Sequence, residues 1–179
     1  MATAVKKITA EEFLKLGLKN AELINGEIEE YMPTKRKHGR IAARIIQVLL
    51  EWVDANDSGE VGTEVGLVIR RDPDQVRAPD VYFLRKDRLP NGDGEGFLEV
   101  APDLVVEVLS DSDTLGVIRS KVNDYFAIGT PLVWLVSPEE ETVEVRAPDG
   151  PRKTLQKGDR LENFPSLPGF SCSVADLFA

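Results

Sequence analysis

Apolar and polar positions alternate along the chain in a way that marks out strands and helices. Leu104, Val105, Val106, Val108 and Leu109 form an unbroken, β-branched run inside the segment APDLVVEVLS, residues 101–110. Runs of this length predict a strand buried on both faces in the centre of a sheet. Residues 78–84 and 132–136 carry similar runs and predict two more central strands. Ile41, Ile45, Val48, Leu49 and Trp52 recur at three- and four-residue steps, which predicts a helix from residue 34 to about 54. A second helix, from about 114 to 128, would place Leu115, Ile118, Val122, Tyr125 and Phe126 on one face, with Gly129 ending it.

Local signals fill in the rest. Thr9 and Glu12 match a capping box for a short helix that Gly17 can stop. Asn25-Gly26 between residues 21–24 and 27–32 is a strong hairpin signal. Residues 60–70 read as one strand, and residues 85–100, with Asn91-Gly92-Asp93-Gly94, as a long polar loop. Residues 142–146 and 153–155 read as an outer hairpin across Pro148-Asp149-Gly150, and the tail 167–178 as packed against the rest. With no linker or repeat in 179 residues, the expectation is one α/β domain. Its mixed β-sheet would be flanked by helices, with an N-terminal helix-hairpin extension.

Composition narrows the chemistry. The first residues lack the apolar core of a signal peptide, and no apolar run could span a bilayer, which predicts a cytoplasmic protein. The single cysteine, Cys172, excludes an internal disulfide and fits a reducing compartment. The single histidine, His38, leaves no His/Cys zinc cluster, so any metal site must be built mainly from oxygen, which favours magnesium or manganese. A net charge of −9 argues against indiscriminate nucleic-acid binding. Yet no acid occurs between Met32 and Leu50, while Lys35, Arg36, Lys37, Arg40 and Arg44 do. This is either a solvated basic turn facing acids elsewhere, or a site where helix amides and basic side chains meet phosphates.

Glu107 interrupts the central apolar run. A buried, unpaired carboxylate costs several kcal/mol, so it must be neutralised, paired or bound to a cation. Ala-Pro-Asp occurs three times, ending at Asp80, Asp103 and Asp149. Asp149 precedes Gly150 in a turn. Asp103 lies four residues before Glu107 on one strand, roughly 13 Å away at ~3.3 Å per residue, too far to share an ion whose ligands sit at ~2.1 Å. Asp80 opens a different strand, and paired strands lie only ~4.8 Å apart. Asp80 is the credible partner, and two such acids repel unless a positive charge sits between them. On the following helix Lys121 falls roughly 90° from the centre of the apolar stripe, where a long side chain either snorkels or reaches back to the strand.

Together, Pro79-Asp80, the strand bearing Glu107 and a following lysine resemble the PD-(D/E)XK nuclease superfamily. More closely, the chain is similar to the Uma-type restriction endonuclease family, long catalogued as a domain of unknown function. The likeness takes in residues 22–27 (ELINGE), Pro33 and His38, residues 102–110, Lys121 with Tyr125, residues 134–136 and residues 167–170. The resemblance implies a restriction-endonuclease-like fold. It implies that Asp80 and Glu107 ligate a divalent metal and that Lys121 is the catalytic lysine, supplied from a helix rather than from position 109. Glu22 and His38 match family positions that line or support the site. Val117 stands where the family has an acid four residues before the lysine.

Two readings follow. In the first, the protein is a Mg²⁺- or Mn²⁺-dependent endonuclease acting on DNA, with Lys35, Arg36, Lys37 and Arg40 contacting phosphates and a homodimer needed to cut both strands. In the second, it is a catalytically inactive nuclease-fold module that binds DNA or a protein partner.

Overall fold

A computed structural model of the chain describes residues 7–92, 94–111 and 113–179. The sequence-based readings of residues 1–6 and of Asp93 lie outside them. Thr9 caps α1 (Ala10–Leu16) with both bonds of the capping box, and Gly17 closes it in the left-handed conformation. The hairpin of β1 (Ala21–Ile24) and β2 (Glu27–Glu30) turns at Asn25 and Gly26, both at positive φ as a two-residue hairpin requires. The first long helix is α2 (Arg36–Asn56), which buries His38, Ile41, Ile45, Leu49, Trp52 and Val53.

The single strand expected over residues 60–70 is instead two, β3 (Gly59–Gly62) and β4 (Leu67–Arg70), in different sheets. The chain bends between them because Glu64 takes a positive φ and Gly66 lies against the Phe97 ring, where a Cβ would come within 2.2 Å. A further short strand, β5 (Gln75–Arg77), follows the turn at residues 71–74. Next come β6 (Val81–Arg85) and a one-turn 3₁₀ helix at Lys86–Arg88. The loop expected over residues 85–100 is tied down by a bridge between Leu98 and Leu67.

The central run forms β7 (Leu104–Val108), every residue of which is buried. Thr114 caps α3 (Leu115–Ala127), and β8 (Val133–Ser137) follows. Leu115, expected on the buried face of α3, is 86% exposed at the first turn, while Val122 and Tyr125 of the same expected face are buried. The outer hairpin is β9 (Thr142–Arg146) with β10 (Lys153–Leu155). The tail is itself a hairpin, β11 (Arg160–Phe164) and β12 (Leu167–Ser173), followed by α4 (Val174–Phe178).

Six strands form the main sheet in the order β10-β9-β8-β7-β6-β3, mixed because β7 and β8 run parallel with α3 as their crossover. Four short strands form a second sheet, β2-β1-β5-β4. Alternation along the central strands divides the core. Leu104, Val106, Val108, Trp134 and Val136 pack with the apolar stripe of α2 and the C-terminal hairpin, where Phe170 touches both Trp52 and Trp134. Val105, Val133 and Leu135 face the other way, against Val122 and Tyr125 of α3 and against Leu67 and Ile69 of the second sheet. Glu107 shares this face of β7 with Val105, by the period-two geometry of a strand. It therefore points at α3.

Candidate active site

The register of β6 against β7 pairs Val81 with Val106, so Asp80, one residue before β6, stands across from Glu107. The Asp80 carboxylate is anchored through Oδ2, which accepts the Val108 N–H at 2.7 Å and lies 3.3 Å from His38 Nε2. Its backbone carbonyl accepts the Thr63 hydroxyl at 2.7 Å, while the neighbouring Pro79 carbonyl accepts Glu64 N–H. The bend that splits the expected strand thus holds the Pro79-Asp80 segment in place. Asp80 Oδ1 has no hydrogen-bond donor among the described residues.

Glu107 is buried and doubly engaged. Its Oε2 accepts from Lys121 Nζ at 2.8 Å, and its Oε1 accepts from the Tyr125 hydroxyl, one turn further along α3. Burial is the largest influence on this acid. Together with the negative charge of Asp80 it outweighs Lys121 and Tyr125 and pushes the pKa up to about 7. Lys121 stays raised above its ordinary value despite burial, because Glu107, Glu22 and Asp80 surround it with negative charge. Burial alone would lower His38, yet the Asp80 carboxylate and the Val108 carbonyl outweigh it and raise the pKa. The His38 Nδ1 is buried without a hydrogen-bond partner.

Glu22, on β1, reaches the same place. Its Oε1 accepts the Ala78 N–H at 3.1 Å and lies 3.7 Å from Lys121 Nζ, while Oε2 accepts from Arg77 Nη1 at 2.8 Å. Val117 is 44% exposed, and the charge of Lys121 is met by Glu107 and Glu22 without an acid at position 117. A small cleft lined by Glu107, Leu109, Asp113, Ile118, Lys121 and Leu135 leaves about 10 Å³, the room of roughly one water.

Sequence reasoning named Asp80, Glu107, Lys121, Glu22 and His38, and the fold brings all five together. It missed the layer behind them, Arg77, Gln75 and Asp124, and it used Tyr125 only as a helix-face residue and part of a motif. Tyr31 was also missed; burial and the charge of Glu22 push its phenol up to about 12, with Glu64 and Asp80 adding to the rise and Lys121 opposing it. A lone arginine in a three-residue strand carries no local signal. The basic turn is arranged differently from either sequence reading alone. Lys35 pairs with Asp111 at 2.7 Å and Lys37 with Glu139 at 2.9 Å, while Arg36 and Arg40 are exposed and form no ion pair among the described residues, so only part of the cluster faces acids. Asp103 is buried, accepting the Arg85 N–H and pairing with Arg88, a structural use consistent with its distance from Glu107.

The donor set suits a hard divalent cation. Among the described residues no three His, Cys, Asp or Glu side chains converge as a complete cage. Mg²⁺ does not need one, since it is commonly held by one or two carboxylates and keeps several waters. Asp80 has one free oxygen, and each bonded carboxylate oxygen retains a second lone pair. The two acids therefore fit such an ion.

The model of a family named Uma2, described as "Putative restriction endonuclease", matches residues 10–175. Among curated proteins none matches. A crystal structure described as "a putative nuclease belonging to DUF820 from Anabaena variabilis ATCC 29413" has a similar fold, with a TM-score of 0.79 over 96% of this chain and 97% of that one at 24% identity.

Proposed function

Because the chain belongs to the Uma2 family of restriction-endonuclease-like proteins, we propose that it is a divalent-metal-dependent endonuclease that hydrolyses DNA phosphodiester bonds at Asp80, Glu107 and Lys121. Its fold is the expected restriction-endonuclease-like mixed sheet flanked by helices. The observation that carries the proposal is the pair of carboxylates on adjacent central strands with Lys121 Nζ 2.8 Å from one of them. A buried acid pair of this kind is expensive unless a cation joins it.

Asp80 and Glu107 would hold one Mg²⁺ or Mn²⁺, which when bound supplies positive charge to the phosphate and lowers the pKa of water. The Val108 N–H fixes Asp80 in rotamer and height. The Tyr125 hydroxyl fixes Glu107, so both carboxylates are oriented before substrate arrives. Lys121 is a cation in this setting, held so by the surrounding acids. Its ammonium offsets the negative charge that develops on the phosphoryl oxygens and positions the attacking water in the cleft it lines. Arg36 and Arg40 contact phosphates along the strand, and Lys35 and Lys37 join them by exchanging Asp111 and Glu139 for the substrate. One such centre reaches one strand at a time, so cutting a duplex calls for a homodimer.

Cleavage of a supercoiled plasmid tests the proposal. The wild-type protein should nick it in Mg²⁺ or Mn²⁺, and Asp80→Asn or Lys121→Met should lower the rate by about a hundredfold or more. No cleavage in either metal, or equal cleavage by these variants, would favour the non-catalytic module.

A further inference from the structure

Behind Lys121 lies a buried cluster that the proposed chemistry does not use. Arg77, at the end of β5, is 5% exposed. Its Nε and Nη2 donate to Asp124 Oδ2 at 2.9 and 2.7 Å, Nη2 also donates to Ser120 Oγ at 3.1 Å, and Nη1 donates to Glu22 Oε2 at 2.8 Å. Gln75 Nε2 adds a bond of 2.6 Å to the same oxygen of Asp124. Ser120 and Asp124 flank Lys121 on α3, one residue before it and three after. A single guanidinium therefore grips the helical turn that carries the lysine and the carboxylate that faces it.

The two ends of this grip differ. At Asp124 the planar fork fixes the orientation of α3 relative to the second sheet, which a point charge on a flexible stem would not do. At Glu22 it holds a carboxylate whose other oxygen is 3.7 Å from Lys121 Nζ. Lys121 thus rests between two acids, Glu107 at 2.8 Å and Glu22 at 3.7 Å. Glu107 is the one the proposed function commits to the ion. Burial keeps water from competing for these bonds, so each member constrains the next.

We infer that Arg77 and Glu22 are positioning residues for Lys121: Arg77 sets the helix turn and Glu22, and Glu22 is the carboxylate on which the ammonium stays anchored when Glu107 turns to the ion. The inference rests on the reading of Lys121 as the lysine that meets the phosphate. It gives a role to Glu22, and it brings in a strand that no sequence signal marked. Without this anchor the ammonium swings out of the cleft toward solvent.

Glu22→Gln is the informative change, because it removes the charge facing Lys121 while keeping the side chain's size and one of the two acceptor oxygens that Arg77 and Ala78 use. In the full chain with Mg²⁺ and plasmid DNA, kcat should fall about tenfold or more, while KM and the Kd for Mg²⁺ stay within about twofold of wild type. Acetic anhydride labelling of Lys121 in Mg²⁺, read by peptide mass spectrometry against Lys35 and Lys37, should rise severalfold. Arg77→Lys should move both readouts in the same direction, since it keeps charge and loses the fork. Wild-type labelling of Lys121 in Glu22→Gln overturns the inference, whether kcat is retained or falls, because a fall alone reflects a merely structural role. If the wild-type protein cleaves nothing, the nuclease reading fails and labelling still decides the anchoring: a rise supports it and no change overturns it.

Discussion

Glu107 concentrates the opposing demands of folding and of the proposed function at a single residue. Its carboxyl is buried beside Asp80, and the folded state raises its pKa to about 7. In the unfolded chain it titrates near the ordinary carboxyl value, so the folded state binds the proton more tightly. Stability of the metal-free protein should therefore be highest below the unfolded pKa and should fall as pH rises from about 4.5 to about 7, by up to a few kcal/mol. Urea unfolding across that range checks the sign, and Glu107→Gln should flatten the slope. A wild-type slope that survives in the variant would assign the titration to another group. The sequence made this residue legible because a carboxylate in an unbroken β-branched run has few innocent explanations. Asp80 followed from strand spacing, while Lys121 came from the family resemblance, since the helical wheel left open whether it snorkels or reaches back to the strand. The hydroxyl of Tyr125 followed from neither, because periodicity assigns an aromatic to the core without revealing what its polar end will meet.

At the scale of elements, the departures from the expected pattern matter most where they touch the site. Residues 60–70 read as one strand because Val61, Val65, Leu67 and Ile69 all fall on one side of a period-two pattern. Nothing local announces that Glu64 will adopt a left-handed conformation or that Gly66 will meet Phe97, since both depend on segments distant in sequence. That bend puts Thr63 and Glu64 on the carbonyls of Asp80 and Pro79. Similarly, β5 is too short to show a period, yet it carries Arg77. Arg77→Ala would leave Glu22 and Asp124 facing each other without their cation. The expected loss is about 3–5 kcal/mol of stability, the usual cost of breaking a buried pair from one side. Chemical denaturation would measure it, and a loss below about 1 kcal/mol would show that water replaces the guanidinium there.

Across the whole molecule, α3 joins two sheets that the sequence could not place relative to each other. Its inner face packs on Val105 and Val133 of the main sheet and on Leu67 and Ile69 of the second, and Asp124 ties it to Arg77. Scanning calorimetry should accordingly give one transition whose calorimetric and van't Hoff enthalpies agree, while two resolved transitions would mean that the sheets fold separately. The surface charge has its own consequence. With a net charge of −9, DNA association should depend on the few free cations of the α2 turn. Substituting Arg36 and Arg40 together by alanine should reduce the dependence of log K on log salt by about 2. An unchanged salt slope would place the phosphates elsewhere.

The central claim is that Asp80 and Glu107 share one divalent ion, and titration calorimetry of Mg²⁺ or Mn²⁺ into the wild-type protein, Asp80→Asn and Glu107→Gln addresses it most directly. The account predicts one ion per chain in the wild type and loss of binding in both variants. An ion bound with wild-type affinity in either variant, or none bound by the wild type, would contradict it.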